Sequence, residues 1–151
     1  MRSLLIAVAV AAAASLAGVA QPTANAAPPA AVEIHAFPVF VPGEAESGPW
    51  EAFGGIDDAG SYVRTEGRTS PPDRPFGVPG PFKEVFVFTG FQGTFTITAE
   101  ERDTGTEIAG VWQLASGTGA YERASGHGTV AFSGPPFDLS LTGVVSKVDE
   151  A

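Results

Sequence analysis

The chain has no cysteine. That removes thiol nucleophiles, thiolate metal sites, disulfides and thiol redox chemistry together. A small domain without disulfides must be held by burial. Histidine occurs twice, too few for a metal site of imidazoles alone. Basic residues are scarce: eight Lys and Arg stand against seventeen Asp and Glu, a formal charge of −9. That balance repels phosphate backbones and anionic lipid, so nucleic acid is not an expected partner. There is no G-x-S-x-G, so the usual serine-hydrolase elbow is missing. Beyond residue 26 no stretch shows sustained helical periodicity.

What is present starts with a leader. Met1-Arg2-Ser3 is a short basic start, residues 4–19 are an apolar run, and Ala24-Asn25-Ala26 offers the small residues a signal peptidase reads. Residues 1–26 are expected to be a cleaved signal peptide and residues 27–151 a single secreted domain. A membrane anchor is the alternative, but the run is short for a span and lacks a basic stop-transfer flank. No cysteine follows it, which excludes a lipoprotein. Losing Arg2 leaves seven basic residues against seventeen acidic ones, a net charge of −10. No membrane association is expected after cleavage.

Eleven Phe, two Trp and two Tyr supply the apolar area that burial needs. Residues 94–101 alternate cleanly, with Phe95, Ile97 and Ala99 on one face and Thr94, Thr96, Thr98 and Glu100 on the other. Residues 82–89 put Phe82, Phe86 and Phe88 on one face and Val85 and Val87 on the other. Both faces want cover, from a partner chain or a loop. Further strands are expected at 32–41, 50–56, 61–66, 108–115, 128–133 and 139–147, which makes about eight, spaced as in a sandwich or barrel. Asp57-Asp58-Ala59-Gly60 and Asp103-Thr104-Gly105 have hairpin-turn chemistry. The long connection, residues 67–81, is Gly or Pro at eight of fifteen positions. It is either a lid carrying Phe76 or a plain mobile loop.

Asp103-Thr104-Gly105 also spells the aspartic-protease triplet, but that chemistry needs two carboxylates sharing a proton, and there is one copy. Gly117-Thr118-Gly119-Ala120-Tyr121-Glu122 starts like a dinucleotide loop without its third glycine or a βαβ unit. Glu100, Glu101, Asp103 and Glu107 surround one hairpin. They are expected to form an exposed acidic tip, with calcium as the alternative. His127 falls on the outer face if Val130 and Phe132 point inward. Glu33 and His35 share a strand face with Phe37, Val39 and Val41. If that face lines an interior, a carboxylate and an imidazole sit in an apolar bore and suit acid–base work. If Ile34, Ala36 and Phe40 point inward instead, Glu33 and His35 meet water.

Gly90-Phe91-Gln92-Gly93, the run Ser116 to Gly126 and Pro136-Phe137-Asp138-Leu139 together resemble the allene oxide cyclase barrel-like superfamily. Plant dirigent proteins and small exported bacterial proteins carry similar segments. The resemblance implies an all-β, closed antiparallel eight-stranded barrel with an apolar bore, trimeric in plant relatives. It also lays Glu33, His35 and Pro42 on the cyclases' catalytic positions, with His35 standing where they have Asn. The expected inner set draws on Phe95, Ile97, Trp112, Leu114, Val130, Phe132, Leu139 and Leu141. Phe37, Phe95, Trp112 and Phe132 are the candidate ligand-lining residues. The expected function is binding of an apolar small molecule in the barrel, with no cofactor and no metal. The alternatives are an isomerase or cyclase of the allene oxide cyclase type, and a structural or homo-oligomeric interaction protein.

Overall fold

Eight strands form from segments in which apolar side chains recur at every second position. A computed structural model describes residues 28–67 and 78–149. The strands are β1 (Ala30–Ala36), β2 (Ser47–Gly54), β3 (Asp58–Glu66), β4 (Gly80–Gly90), β5 (Thr94–Asp103), β6 (Ile108–Gly117), β7 (Ser125–Ser133) and β8 (Asp138–Ser146), with a 3-10 turn at Gly119–Tyr121 before β7. Each pairs antiparallel with its neighbour in sequence. β1 also pairs with β8, setting Ile34 opposite Leu141, so the sheet closes into a barrel. The expected all-β, eight-stranded antiparallel barrel is what forms. The signal-like residues 1–26 and Phe76 lie outside the described residues.

Antiparallel order sorts the connections onto two ends. Residues 37–46, 104–107 and 134–137 meet at a long-loop end, together with Gly67 after β3 and residues 78–79 before β4. Residues 55–57, 91–93 and 118–124 meet at a short-turn end.

Aromatic rings fill the space between. Tyr62 stacks on Phe88 at 5.6 Å, Phe88 on Phe95 at 5.0 Å, and Phe95 meets Tyr121 edge-on at 4.9 Å. Trp50 packs edge-on against both Phe88 and Phe95. An eight-stranded barrel is just wide enough for its own side chains, and rings in offset and edge-on contact fill it densely. Of the expected inner residues, Phe95, Ile97, Trp112, Val130, Leu139 and Leu141 are buried. Leu114 and Phe132 are partly buried and pack against the core.

The two indoles use the same device. Trp50 on β2 lies across Gly60 of β3 and donates its Nε1–H to the Thr89 carbonyl of β4 at 3.1 Å. Trp112 on β6 lies across Gly128 of β7 and donates to the Thr142 carbonyl of β8 at 3.3 Å. Each crossed glycine pairs with another, Gly90 or Gly143. A Cβ at Gly60 would stand 2.0 Å from the Thr89 oxygen, and one at Gly128 equally close to the Thr142 oxygen. These glycines therefore let neighbouring backbones approach closely, and at Gly90 a Cβ would also stand 2.9 Å from Trp50 Cζ2.

The short-turn end is sealed by Asp58. It was expected in a turn, but the turn falls at residues 55–57 and Asp58 opens β3 with its carboxylate buried. Its oxygens accept the Ala59, Phe91 and Gln92 amides at 2.8, 3.0 and 3.1 Å and the Tyr121 hydroxyl at 2.7 Å. Burial alone would raise the Asp58 pKa. The four donors outweigh it and hold the group below the ordinary aspartate value.

Three other expectations shift. β1 ends at Ala36, because Pro38 has no N–H to continue the ladder, and only Val39 regains a bridge, to Ser47. β4 does not carry two fully apolar faces: Glu84 points inward with Phe82, Phe86 and Phe88, while Val85 and Val87 are half-buried beside β3 and β5. The acidic tip is only partly exposed. Asp103-Thr104-Gly105 does turn, with Asp103 Oδ1 accepting the Gly105 amide at 2.7 Å, but Glu101 and Asp103 are buried.

Gly128→Ala should cost about 2–3 kcal/mol, because the new methyl meets backbone that cannot retreat. Urea denaturation should show a lower midpoint at an unchanged slope. Asp58→Asn should cost about 2–3 kcal/mol near neutral pH, since an amide cannot accept four donors with full charge. Because the folded pKa lies below the unfolded one, that difference is present above about pH 4 and shrinks as acid protonates the native carboxylate.

Candidate functional site at the long-loop end

Among the described residues, the bore is packed with side chains. Of the candidate lining residues, Phe95 and Trp112 belong to the packed core, Phe132 sits at the long-loop end, and Phe37 points outward with its ring stacked near His35 at 6.4 Å. A cavity of about 20 Å³ lies inside the long-loop end, lined by Glu46, Arg64, Phe82, Glu84, Glu101, Ile108, Phe132 and Leu139. That is room for about one water.

Above the aromatic column the interior turns ionic. Arg64 Nη1 donates to Glu46 Oε2 at 3.0 Å and to Glu84 Oε1 at 2.9 Å, and the Tyr62 hydroxyl donates to Glu46 Oε1 at 3.0 Å. Burial raises the Glu46 pKa. The Arg64 charge and the Tyr62 hydrogen bond pull it back, Glu84 pushes it up again, and the balance lies above the ordinary glutamate value. Burial and the neighbouring Glu46 hold the Tyr62 phenol far above its usual range. Sequence reading missed this layer. Its signal was parity: Arg64 is in phase with Tyr62, and Glu84 with Phe82 and Phe86. Arg64 is partly exposed but its two glutamates are buried, so removing the guanidinium would strand two buried carboxylates.

Outside this layer lies an open cleft of about 530 Å³. The β5–β6 turn supplies one wall, from Asp103 to Ala109. The end of β7 and the loop after it supply the other, with Ala131, Phe132, Ser133, Gly134 and Phe137. Phe132 and Phe137 stack at 5.7 Å, and Phe40 closes on Phe137 edge-on at 5.1 Å. The cleft therefore pairs an aromatic wall with a polar, acidic rim.

Glu33 and His35 are on the outer wall, since Val32, Ile34 and Ala36 take the inner face of β1. Phe40 is in the following loop, half exposed, and Pro42 is exposed there too. The structure does bring Glu33 and His35 together: His35 Nε2 lies 2.9 Å from Glu33 Oε1. It adds a residue the sequence reading did not place there, Asp138, whose Oδ2 is 3.0 Å from His35 Nδ1. Partial burial alone would lower the imidazole pKa. The hydrogen bonds and charges of Glu33 and Asp138 outweigh it and raise it. A protonated imidazole can donate to both carboxylates at once. A neutral one donates to a single partner and turns a lone pair on the other. The arrangement is a proton-dependent clamp between β1 and β8, open to water.

His127 is exposed on the outer face of β7. Among the described residues, no group of three or more His, Asp or Glu is placed to hold a metal ion, and no helix is long and apolar enough to cross a membrane. No family model, no curated protein and no solved structure matches the chain.

His35→Gln should cost roughly 0.5–1 kcal/mol at about pH 5, the scale of a partly screened ion pair. Because the folded pKa is raised, the stabilisation is complete below the unfolded value and is lost as pH rises through the folded one. Denaturation midpoints of the two proteins should therefore converge as pH rises above the ordinary imidazole range.

Proposed function

We propose that the protein is an exported, non-catalytic binding protein that takes a small apolar molecule at the long-loop end of its barrel. The cleft of about 530 Å³ carries this reading. It falls within the size range of small-molecule sites and has the stacked rings of Phe132 and Phe137 in its lining. The filled bore moves the ligand from the barrel's interior to its mouth. Export is supported by the leader-like residues 1–26. The isomerase alternative receives less from the geometry. Glu33 and His35 stand on a wall facing water, where no apolar enclosure tunes them or shields a reactive intermediate.

A fluorescent fatty acid titrated into the purified protein should bind saturably at one site. Phe132→Ser should weaken it about tenfold, the effect of losing ~1.4 kcal/mol of apolar contact. Ala131→Trp, at an exposed wall position, should obstruct the cleft while leaving the core unchanged. Binding that is absent, or indifferent to both substitutions, would remove the reading.

A further inference from the structure

A second surface lies on the outer flank of the same end. After Ala36 the chain leaves the barrel wall and exposes a run of large apolar side chains. Val39 is 53 % exposed, Phe40 49 %, Val41 44 % and Phe37 38 %. This run, Phe37-Pro38-Val39-Phe40-Val41-Pro42, is anchored at both ends. The Phe37 and Val39 amides donate to the Pro49 and Ser47 carbonyls at 2.9 and 2.7 Å, and the Glu44 amide returns to the Val41 carbonyl at 3.0 Å. The apolar residues are therefore held outward by main-chain bonds, where water would otherwise drive them under cover.

Charge decides what can cover them. β1, residues 37–46, β2 and β8 contain no Lys or Arg, while Glu33, Glu44, Glu51 and Asp138 lie on them outside the buried set; Glu46 is turned inward onto Arg64. Glu51 stands opposite His35 across the β1–β2 ladder, and Asp138 and Glu33 hold the same imidazole, whose ring stacks on Phe37. The apolar strip is thus bordered by carboxylates on both neighbouring strands. A second copy docking through a two-fold axis would set these carboxylates against their own counterparts. An anionic bilayer would be repelled in the same way. A polypeptide whose apolar side chains are flanked by Lys or Arg meets both requirements.

We propose that residues 37–42 form a docking surface for a basic, apolar segment of a partner protein. This goes beyond the small-molecule reading. Val39 and Val41 do not line the cleft, so either idea can fail alone.

The test uses two synthetic amphipathic peptides with the same leucines, one bearing lysines and the other glutamates, titrated into isotope-labelled protein. The lysine peptide should bind at least tenfold tighter, shift the amides of residues 37–44 and weaken as salt is raised. Val39→Ser with Val41→Ser should abolish that binding while leaving fatty-acid binding intact. Glu44→Lys should weaken it several-fold without altering the fold, since Glu44 is an exposed turn residue. Equal binding of both peptides overturns the proposal. So does lysine-peptide binding indifferent to the valine substitutions, which would be non-specific attraction to an acidic protein. Dimerisation that shifts residues 37–42 would assign the surface to a second copy. Partition into phosphatidylcholine vesicles through the same residues would assign it to lipid.

Discussion

Each indole reaches across a neighbouring strand to a carbonyl on the next one. That reach organises the barrel. Eight strands enclose a space filled by large rings together with aliphatic side chains such as Ile34, Ile97 and Leu141, and the two indoles reach past their own strand. Trp50 and Trp112 therefore cross β3 and β7, and each finds its acceptor two strands away. The strands they cross pair glycine with glycine, Gly60 with Gly90 and Gly128 with Gly143, and a Cβ at any of the four would meet a neighbouring group at 2.2 Å or less. The arrangement recurs on β2–β3–β4 and on β6–β7–β8, so the two halves of the barrel solve one packing problem in one way.

The filled column explains where polarity can go. Its terminal rings are tyrosines, and each hydroxyl reaches a buried carboxylate: Tyr62 to Glu46 at the long-loop end, Tyr121 to Asp58 at the short-turn end. Burying a phenol or a carboxylate is costly unless it is hydrogen-bonded, and here each partner satisfies the other. The ends then diverge. Asp58 is saturated by backbone amides and closes its end. At the other end Arg64 joins two glutamates beneath the loops that carry the cleft and the apolar run. Both surfaces proposed for binding lie at the long-loop end, beyond a core filled by aromatic rings.

Much of the barrel was legible because period-two patterns are local. Residues 94–101 and 139–147 show their inner faces without reference to any other strand. Legibility failed where one residue served two rules. Asp58 sits in a sequence with strong turn chemistry, and only the positions of Phe91, Gln92 and Tyr121, far along the chain, make it a buried acceptor. On β1 both faces offered apolar residues. Phe37, Val39 and Val41 argued for one parity, Ile34 and Ala36 for the other, and Pro38 ended the strand before the first set could be buried. Glu84 and Arg64 were in phase with inward aromatics, but charged residues are rarely assigned to a core unless their partners are known. Asp138 could not be linked to His35 at all, since the pairing of β1 with β8 is not written in either segment.

That pairing has a kinetic meaning. Seven of the strand contacts are hairpins between consecutive strands, each formed within a short stretch of chain. The eighth joins the first strand to the last, and the His35–Asp138 contact on it spans 103 positions. Closing a loop of that length costs about 4 kcal/mol of chain entropy beyond a fixed term. A curled but unsealed sheet can therefore assemble from local steps, and its two bare edges stay adhesive until the last strand arrives. The seam is where the chain commits to a finished cylinder instead of joining a neighbour's edge.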